Sequence, residues 1–171
     1  MQPIIYDVAV SGDGFICGPG ADISRFPHHG AVVDDYRDRL ASYGAVIMGR
    51  ATYEFGFAYG LSPGENPYPG MAACVVSTTL DLPGSEIRIC RDLAAVEAFR
   101  ATATAPVYLC GGGALATAMK DRGLIDEVVL KRAPILLGGG VPLWSGGAVA
   151  SRLLEARDYG GGATLHRYAL S

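Results

Sequence analysis

The chain has 171 residues, 50% hydrophobic and 18% charged, with a formal net charge of −3. That length fits a single domain, residues 1–171, large enough to bury a real core. The mild acidity, without a basic stripe, excludes nucleic acid as an expected partner; no apolar run approaches a membrane span, and no basic, then apolar leader precedes Ile4.

Ile4 to Val10 reads as a strand, and Ser11 to Gly30 as a Gly/Asp/Pro-rich loop long enough to carry function. A helix is predicted over Ala31 to Tyr43, because Val32, Tyr36, Leu40 and Tyr43 recur at helical spacing, with Gly44 as its stop. Ala45 to Met48 is a short buried strand, and Gly49-Arg50-Ala51-Thr52 opens a second helix. An open Gly/Pro/Tyr loop, Gly56 to Gly70, leads to a strand over Ala72 to Val76 that ends in Ser77-Thr78-Thr79. Ile87 to Cys90 reads as a strand, Leu93 to Thr102 as a helix, and Val107 to Leu109 as a strand followed by Gly111-Gly112-Gly113 and a helix over Ala114 to Lys120. Leu124 to Arg132, Leu153 to Asp158 and Thr164 to Leu170 complete the strands. Strands alternating with helices predict an α/β domain with a largely parallel sheet. The last part lacks helices, so its strands are expected to run antiparallel at one edge.

The cysteines Cys17, Cys74, Cys90 and Cys110 are widely spaced, form no CxxC pair, and mostly lie in or beside apolar runs. They read as free thiols in a reducing cytoplasm, with no metal site.

The glycine run is the chemical signal. A strand that ends in glycines and opens a helix brings unpaired N–H groups to an anion with no side chain in the way. The run is not a GxGxxG fingerprint. Two further hydroxyl- or glycine-rich segments, Gly49 to Thr52 and Ser77 to Thr79, also fall at carboxyl ends of strands, where open α/β sheets bind ligands. The Thr52 hydroxyl adds a donor, and Arg50 with the Ser77 corner suits a ribose phosphate.

Five segments carry a family resemblance: Ala9-Val-Ser-Gly-Asp-Gly-Phe-Ile16, Met48-Gly-Arg-Ala-Thr-Tyr-Glu54, Val75-Val-Ser-Thr-Thr-Leu80, Val107-Tyr-Leu-Cys-Gly-Gly-Gly113, and Leu124-Ile-Asp-Glu-Val-Val-Leu130 running on to Pro134-Ile-Leu-Leu-Gly-Gly-Gly-Val-Pro-Leu-Trp144. In this order they resemble the dihydrofolate reductase-like superfamily. Within it they resemble the reductase domain of the riboflavin-biosynthesis deaminase–reductase and its stand-alone bacterial relatives. The resemblance implies a three-layer α/β/α sandwich, NADPH (NADP) as hydride donor, and a homodimer. It implies that Ala9 and Ile16 flank the nicotinamide carboxamide, and that Gly49, Arg50 and Thr52 hold adenosine-side phosphates. Ser77, Thr78 and Thr79 would meet the 2′-phosphate, and Gly111, Gly112 and Gly113 would cradle the pyrophosphate. No HxE…PCxxC zinc signature is present, so a riboflavin-pathway role would be the reductase step alone, of the 5-amino-6-(5-phosphoribosylamino)uracil type.

Two positions depart from the family pattern. Thr78 stands where an arginine is common, which opens the choice between NADPH and NADH. Gly12 stands where leucine is usual, and reads as a looser loop or a tight turn needing positive φ.

In dihydrofolate reductases a carboxylate on the first helix faces the substrate. Counting from Met48 points to Asp34 or Asp35 as a proton-relaying acid, with Asp38 nearby and Asp13 a second candidate. His28-His29, Arg25, Arg37 and Arg39 are the basic residues in the region where a substrate phosphate would be expected, though they form no clear phosphate clamp, and Phe55, Phe57, Tyr59, Tyr68 and Trp144 are candidate pocket walls. Two other functions fit this sequence: dihydrofolate or pterin reduction, and a non-catalytic dinucleotide-binding dimer module.

Overall fold

The computed structural model describes residues 1–171. The chain runs β1 (Ile4–Ser11), β2 (Phe15–Cys17), α1 (Ala31–Leu40), β3 (Ala45–Gly49), α2 (Arg50–Phe55), β4 (Ala72–Val76) and β5 (Arg88–Cys90). It continues through α3 (Leu93–Ala101), β6 (Val107–Gly111), α4 (Gly113–Asp121), β7 (Glu127–Ala133), β8 (Val141–Pro142), β9 (Ser151–Asp158) and β10 (Thr164–Leu170).

Eight strands form one sheet in the order β5-β4-β3-β6-β1-β7-β10-β9. Every pairing from β5 to β7 is parallel; β10 is antiparallel to β7, and β9 to β10. The expected antiparallel edge is there, built by the helix-free end of the chain. β3 and β6 lie mid-sheet and read as unbroken apolar runs, because both of their faces are covered.

The two faces carry separate cores. On one, Ile4, Tyr6, Ile47 and Leu109 pack against Val96 and Phe99 of α3 and Ala116 and Met119 of α4. On the other, Ile5, Val46, Tyr108 and Val129 meet Tyr36 and Leu40 of α1 and Tyr53 of α2. Burying a side chain of the Val96 or Phe99 class stabilises by about 1.5–3 kcal/mol. The result is the expected three layers.

Some boundaries differ from those the sequence predicts. α1 stops at Leu40, not Tyr43, because Ser42 and Tyr43 form a tighter turn in which both backbone N–H groups reach back only three residues. Tyr43 still faces inward, stacked on Tyr108 with centroids 5.3 Å apart. β7 begins at Glu127: Leu124 and Ile125 are buried in the preceding turn, and Asp126 accepts from the Ile4 N–H at 2.7 Å and pairs with Arg100. β2 sits inside the long loop and pairs with β8, a two-strand ribbon too short to show a period. Cys17, Cys74 and Cys90 are buried free thiols, and Cys110 is half-buried. No helix is long and apolar enough to cross a membrane.

Candidate active site

The carboxyl ends of β1, β3, β4 and β6 meet at one edge of the parallel sheet. Gly49 caps α2 and Gly112 caps α4, and neither helix receives a side-chain cap. By contrast, α3 is capped by Asp92, whose carboxylate accepts from the Ala95 N–H at 2.8 Å. The first N–H groups of α4 are therefore left for another acceptor.

Side chains are excluded from this edge by contact. A Cβ on Gly113 would stand 2.5 Å from the Pro142 carbonyl oxygen, so only glycine lets β8 lie over the start of α4. A Cβ on Gly112 would stand 3.2 Å from Thr52 Oγ1 and 4.0 Å from Ile16 Cδ1. One on Gly49 would lie 3.6 Å from the Gly111 carbonyl oxygen. The Gly111–Gly112 peptide is cis. Five of the residues singled out in the sequence (Ile16, Gly49, Thr52, Gly111 and Gly112) thus share one small surface, with Gly113 beside them.

Arg50 leaves this surface sideways. Its Nη1 donates to Thr79 Oγ1 at 2.9 Å and its Nε to Glu54 at 2.7 Å. Ser77 Oγ accepts from the N–H groups of Thr79 at 3.3 Å and Leu80 at 3.0 Å, and so shapes the turn, while Thr78 and Thr79 are exposed. A second guanidinium, which sequence reasoning missed, clasps the same turn. Arg91 Nη1 donates to the carbonyls of Ser77 at 3.1 Å and Leu80 at 2.6 Å, and Nη2 pairs with Asp81 at 3.3 Å. Of five guanidinium donors, Arg91 uses three and Arg50 two, leaving both able to bond a further anion. The only signal for Arg91 was its place just after β5, the neighbour of β4.

The α1 carboxylates are not presented to this edge. Asp34 is 67% exposed and pairs with Arg37. Asp35 is held by Arg39, by Tyr159 and by Arg157 at 2.8 Å. Burial works to raise its pKa, but these partners hold it below the usual carboxylate range. It lines a cleft of about 200 Å³ with Arg39, Glu155, Arg157 and Arg167, against β9 and β10. Asp38, His28 and His29 are exposed.

Asp13 is a staple. Its carboxylate accepts from Ser11 Oγ at 2.6 Å, the Leu137 N–H at 3.0 Å and the Gly138 N–H at 2.7 Å. The Ser11 hydroxyl first, then the two amides, bring it from 3.8 to about 2. Gly12 does not have positive φ; a Cβ there would stand 3.2 Å from the Ile135 carbonyl oxygen and 3.0 Å from Leu136 Cδ2, a tight approach to the partner stretch. The loop it belongs to is bound to residues 135–138 rather than loosened.

What lies beside the glycines on the α1 face is a polar wall. Ala9 is half-buried, and its register partner is Lys131. The Lys131 ammonium is buried, 2.7 Å from Asp7 and 3.4 Å from the centre of the Tyr36 ring. Asp7 also takes Arg39 Nε at 2.8 Å and Tyr43 Oη at 3.1 Å. Burial alone would raise the Asp7 pKa, yet the two cations hold it below its ordinary value. Burial pushes Lys131 down, against the pull of Asp7. The hydroxyls of Tyr36 and Tyr108 are 2.8 Å apart, and Tyr68 Oη is 3.2 Å from Cys110 Sγ, one residue before Gly111. Trp144 lies on the opposite face, tilted on Tyr6 with centroids 6.3 Å apart. Phe57 packs on Tyr53, and Phe55 on Tyr59, whose side is 69% exposed.

The chain is similar in structure to a proposed riboflavin biosynthesis protein from Shewanella sp. PV-4, at 22% identity and a TM-score of 0.83, covering 100% of this chain and 99% of the other. It is similar to a pyrimidine reductase-like protein from Corynebacterium diphtheriae at 14% identity and a TM-score of 0.73, covering 99% and 92%. It is also similar to a dihydrofolate reductase from Enterococcus faecalis complexed with NADP(H), at 14% identity and a TM-score of 0.67, covering 99% and 96%. No curated protein matches it significantly. These likenesses establish a dihydrofolate reductase-like fold. The RibD C-terminal domain model matches residues 2–165, and the chain belongs to that family.

Proposed function

We propose that the chain is an NADPH-dependent reductase acting on a small heterocyclic or ribosylated acceptor, with 5-amino-6-(5-phosphoribosylamino)uracil of riboflavin synthesis the leading candidate. The observation that carries this is the side-chain-free edge where Gly49, Gly111, Gly112 and the uncapped start of α4 converge. It suits a diphosphate, which wants backbone N–H groups and no intervening Cβ. Thr52 adds a hydroxyl, Ala9 and Ile16 offer main-chain groups for a carboxamide, and Arg50 with Ser77, Thr78, Thr79 and Arg91 faces the adenosine end. Two guanidiniums at that corner favour the phosphorylated coenzyme over NADH. When bound, NADPH supplies hydride from its dihydronicotinamide ring.

The chain's own work is to orient and to exclude water. Dihydrofolate or pterin reduction is the weaker reading, because Asp34 faces solvent and Asp35 is tied into the α1–β9 ion network. A second copy has a natural seat on the sheet face at β10, where Leu130, Trp144, Val149, Tyr168 and Leu170 line an apolar groove that no helix covers. A cytoplasmic homodimer is part of the proposal. The test is a calorimetric titration with NADPH and NADH, then loss of reduced-coenzyme absorbance with the ribosylaminouracil phosphate or dihydrofolate. Tight NADPH binding with oxidation by the former supports the reading. No heat with either coenzyme overturns it, and binding without oxidation by any acceptor leaves the binding-module reading in its place.

A further inference from the structure

Reduction of a C=N or C=O bond by hydride leaves an electron pair on nitrogen or oxygen, and that atom needs a proton. Neither carboxylate of α1 predicted for this is turned toward the glycine-lined edge. One residue further along the same helix, the side chain packs against the Tyr108 to Cys110 end of β6, which leads into Gly111. Tyr36 is half-buried, its ring lies under the Lys131 ammonium at 3.4 Å, and its hydroxyl is 2.8 Å from that of Tyr108. Tyr108 is buried in the sheet, and Tyr68 packs edge-on against it with centroids 5.5 Å apart while its hydroxyl contacts Cys110. The three phenols and the thiol thus meet one residue from Gly111 and beside Ala9 and its neighbour Lys131.

Resting on the reductase reading, we propose that Tyr36 is the proton donor to the hydride acceptor, with Lys131 its positioning residue. As the new C–H bond forms, the π pair of the acceptor moves onto N or O. That atom takes the Tyr36 hydroxyl proton, so an N–H or O–H bond forms as the phenolic O–H bond breaks. The tyrosinate left behind lies beside the Lys131 ammonium, and is reprotonated from solvent once product departs. Burial, and then the nearby Cys110, raise the Tyr36 pKa, so it remains a loaded acid at neutral pH. The groups facing Lys131 are Asp7 on β1, Arg39 and Tyr36 on α1, and Cys110 on β6. Asp7 remains ionised at neutral pH, so the alkaline loss of charge falls on Lys131, whose pKa burial lowers.

The test uses the full chain, NADPH and the ribosylaminouracil phosphate. Tyr36→Phe keeps the ring and its contact with Lys131 and removes only the hydroxyl. It is expected to bind NADPH within twofold of the parent while single-turnover oxidation slows by roughly 100-fold or more. The parent's solvent deuterium effect on that step disappears. Lys131→Met is expected to slow turnover by about tenfold and to abolish the alkaline fall in the parent's kcat profile. Tyr68→Phe, which removes a hydroxyl from the same cluster, measures the cost of a lost hydrogen bond alone, and a drop as large as that of Tyr36→Phe overturns the assignment to Tyr36. A Tyr36→Phe chain that turns over within threefold of the parent overturns it as well. A parent that binds NADPH but shows no oxidation with any acceptor overturns the reductase reading beneath it, and is told apart because the parent itself is then silent.

Discussion

The two faces of the sheet are built by different rules. The α3–α4 face is an apolar core of Ile4, Tyr6, Ile47, Leu109, Val96 and Phe99. The α1–α2 face buries Asp7 and Lys131 among tyrosines, beside the edge where the glycines converge. A buried ion pair is seldom the most stabilising choice, since apolar residues of the same volume often do as well or better. On the α4 side Lys120 is buried too, but its partner Asp121 is exposed, so the fully buried pair is confined to the α1–α2 face, which argues that this face is kept polar for what it touches.

The largest expected effect comes from breaking that pair. Asp7→Ala leaves the buried Lys131 ammonium without its counter-charge and beside Arg39, which keeps only Asp35, and should cost about 3–5 kcal/mol in denaturant unfolding. Asp7→Leu combined with Lys131→Met should recover most of the loss while turnover stays about tenfold below the parent. If Asp7→Ala costs no more than a surface substitution, the contrast between the faces is wrong.

Gly113→Ala comes next. The added methyl meets the Pro142 carbonyl, so stability should fall by about 1–3 kcal/mol. NADPH affinity should fall with it, as β8 is pushed off the start of α4. Unchanged NADPH affinity would separate the glycine edge from coenzyme binding.

Arg91→Ala should weaken NADPH by roughly tenfold, in keeping with loss of a charge-assisted contact, and leave NADH nearly unchanged. Equal weakening of both would make Arg91 only a clasp for the Ser77 turn.

The smallest effect is on acid stability. Asp7 and Asp35 have folded-state pKa values held below the usual range, and Asp13 moves from 3.8 to about 2. Depressed carboxylates contribute stability that is present above their unfolded values and lost as pH falls through the folded ones. Stability should therefore hold down to about pH 4 and decline toward pH 2, and Asp13→Asn should flatten that decline. A chain whose stability rises between pH 4 and 2 would contradict the sign.

The glycine edge was readable because it is written in contiguous runs: Gly111-Gly112-Gly113, Met48-Gly49-Arg50 and the Ser77 corner each sit where a strand ends. The polar wall was not. Asp7 and Lys131 lie 124 residues apart and meet only through the β1–β7 register. Polar residues within strands read as outward-facing, and nothing local marks these two as buried. On α1 the spacing placed acids on a helix but left the rotation open. A step of one residue turns a side chain by about 100°, which separates Asp35, facing β9, from Tyr36, facing Tyr108. Arg91 was missed for a similar reason: its partners are carbonyls across a turn, not residues in a motif. The β2–β8 ribbon was too short for any pattern to register.

Asp13 ties the Ser11–Gly14 turn to Leu137 and Gly138 through two hydrogen bonds, with the Gly12 N–H and the Ile135 carbonyl adding a third at 2.7 Å. Two stretches more than a hundred positions apart therefore behave as a single mechanical part. Grafting either stretch alone from a relative should yield a poorly folded hybrid, whereas moving both together should keep the fold.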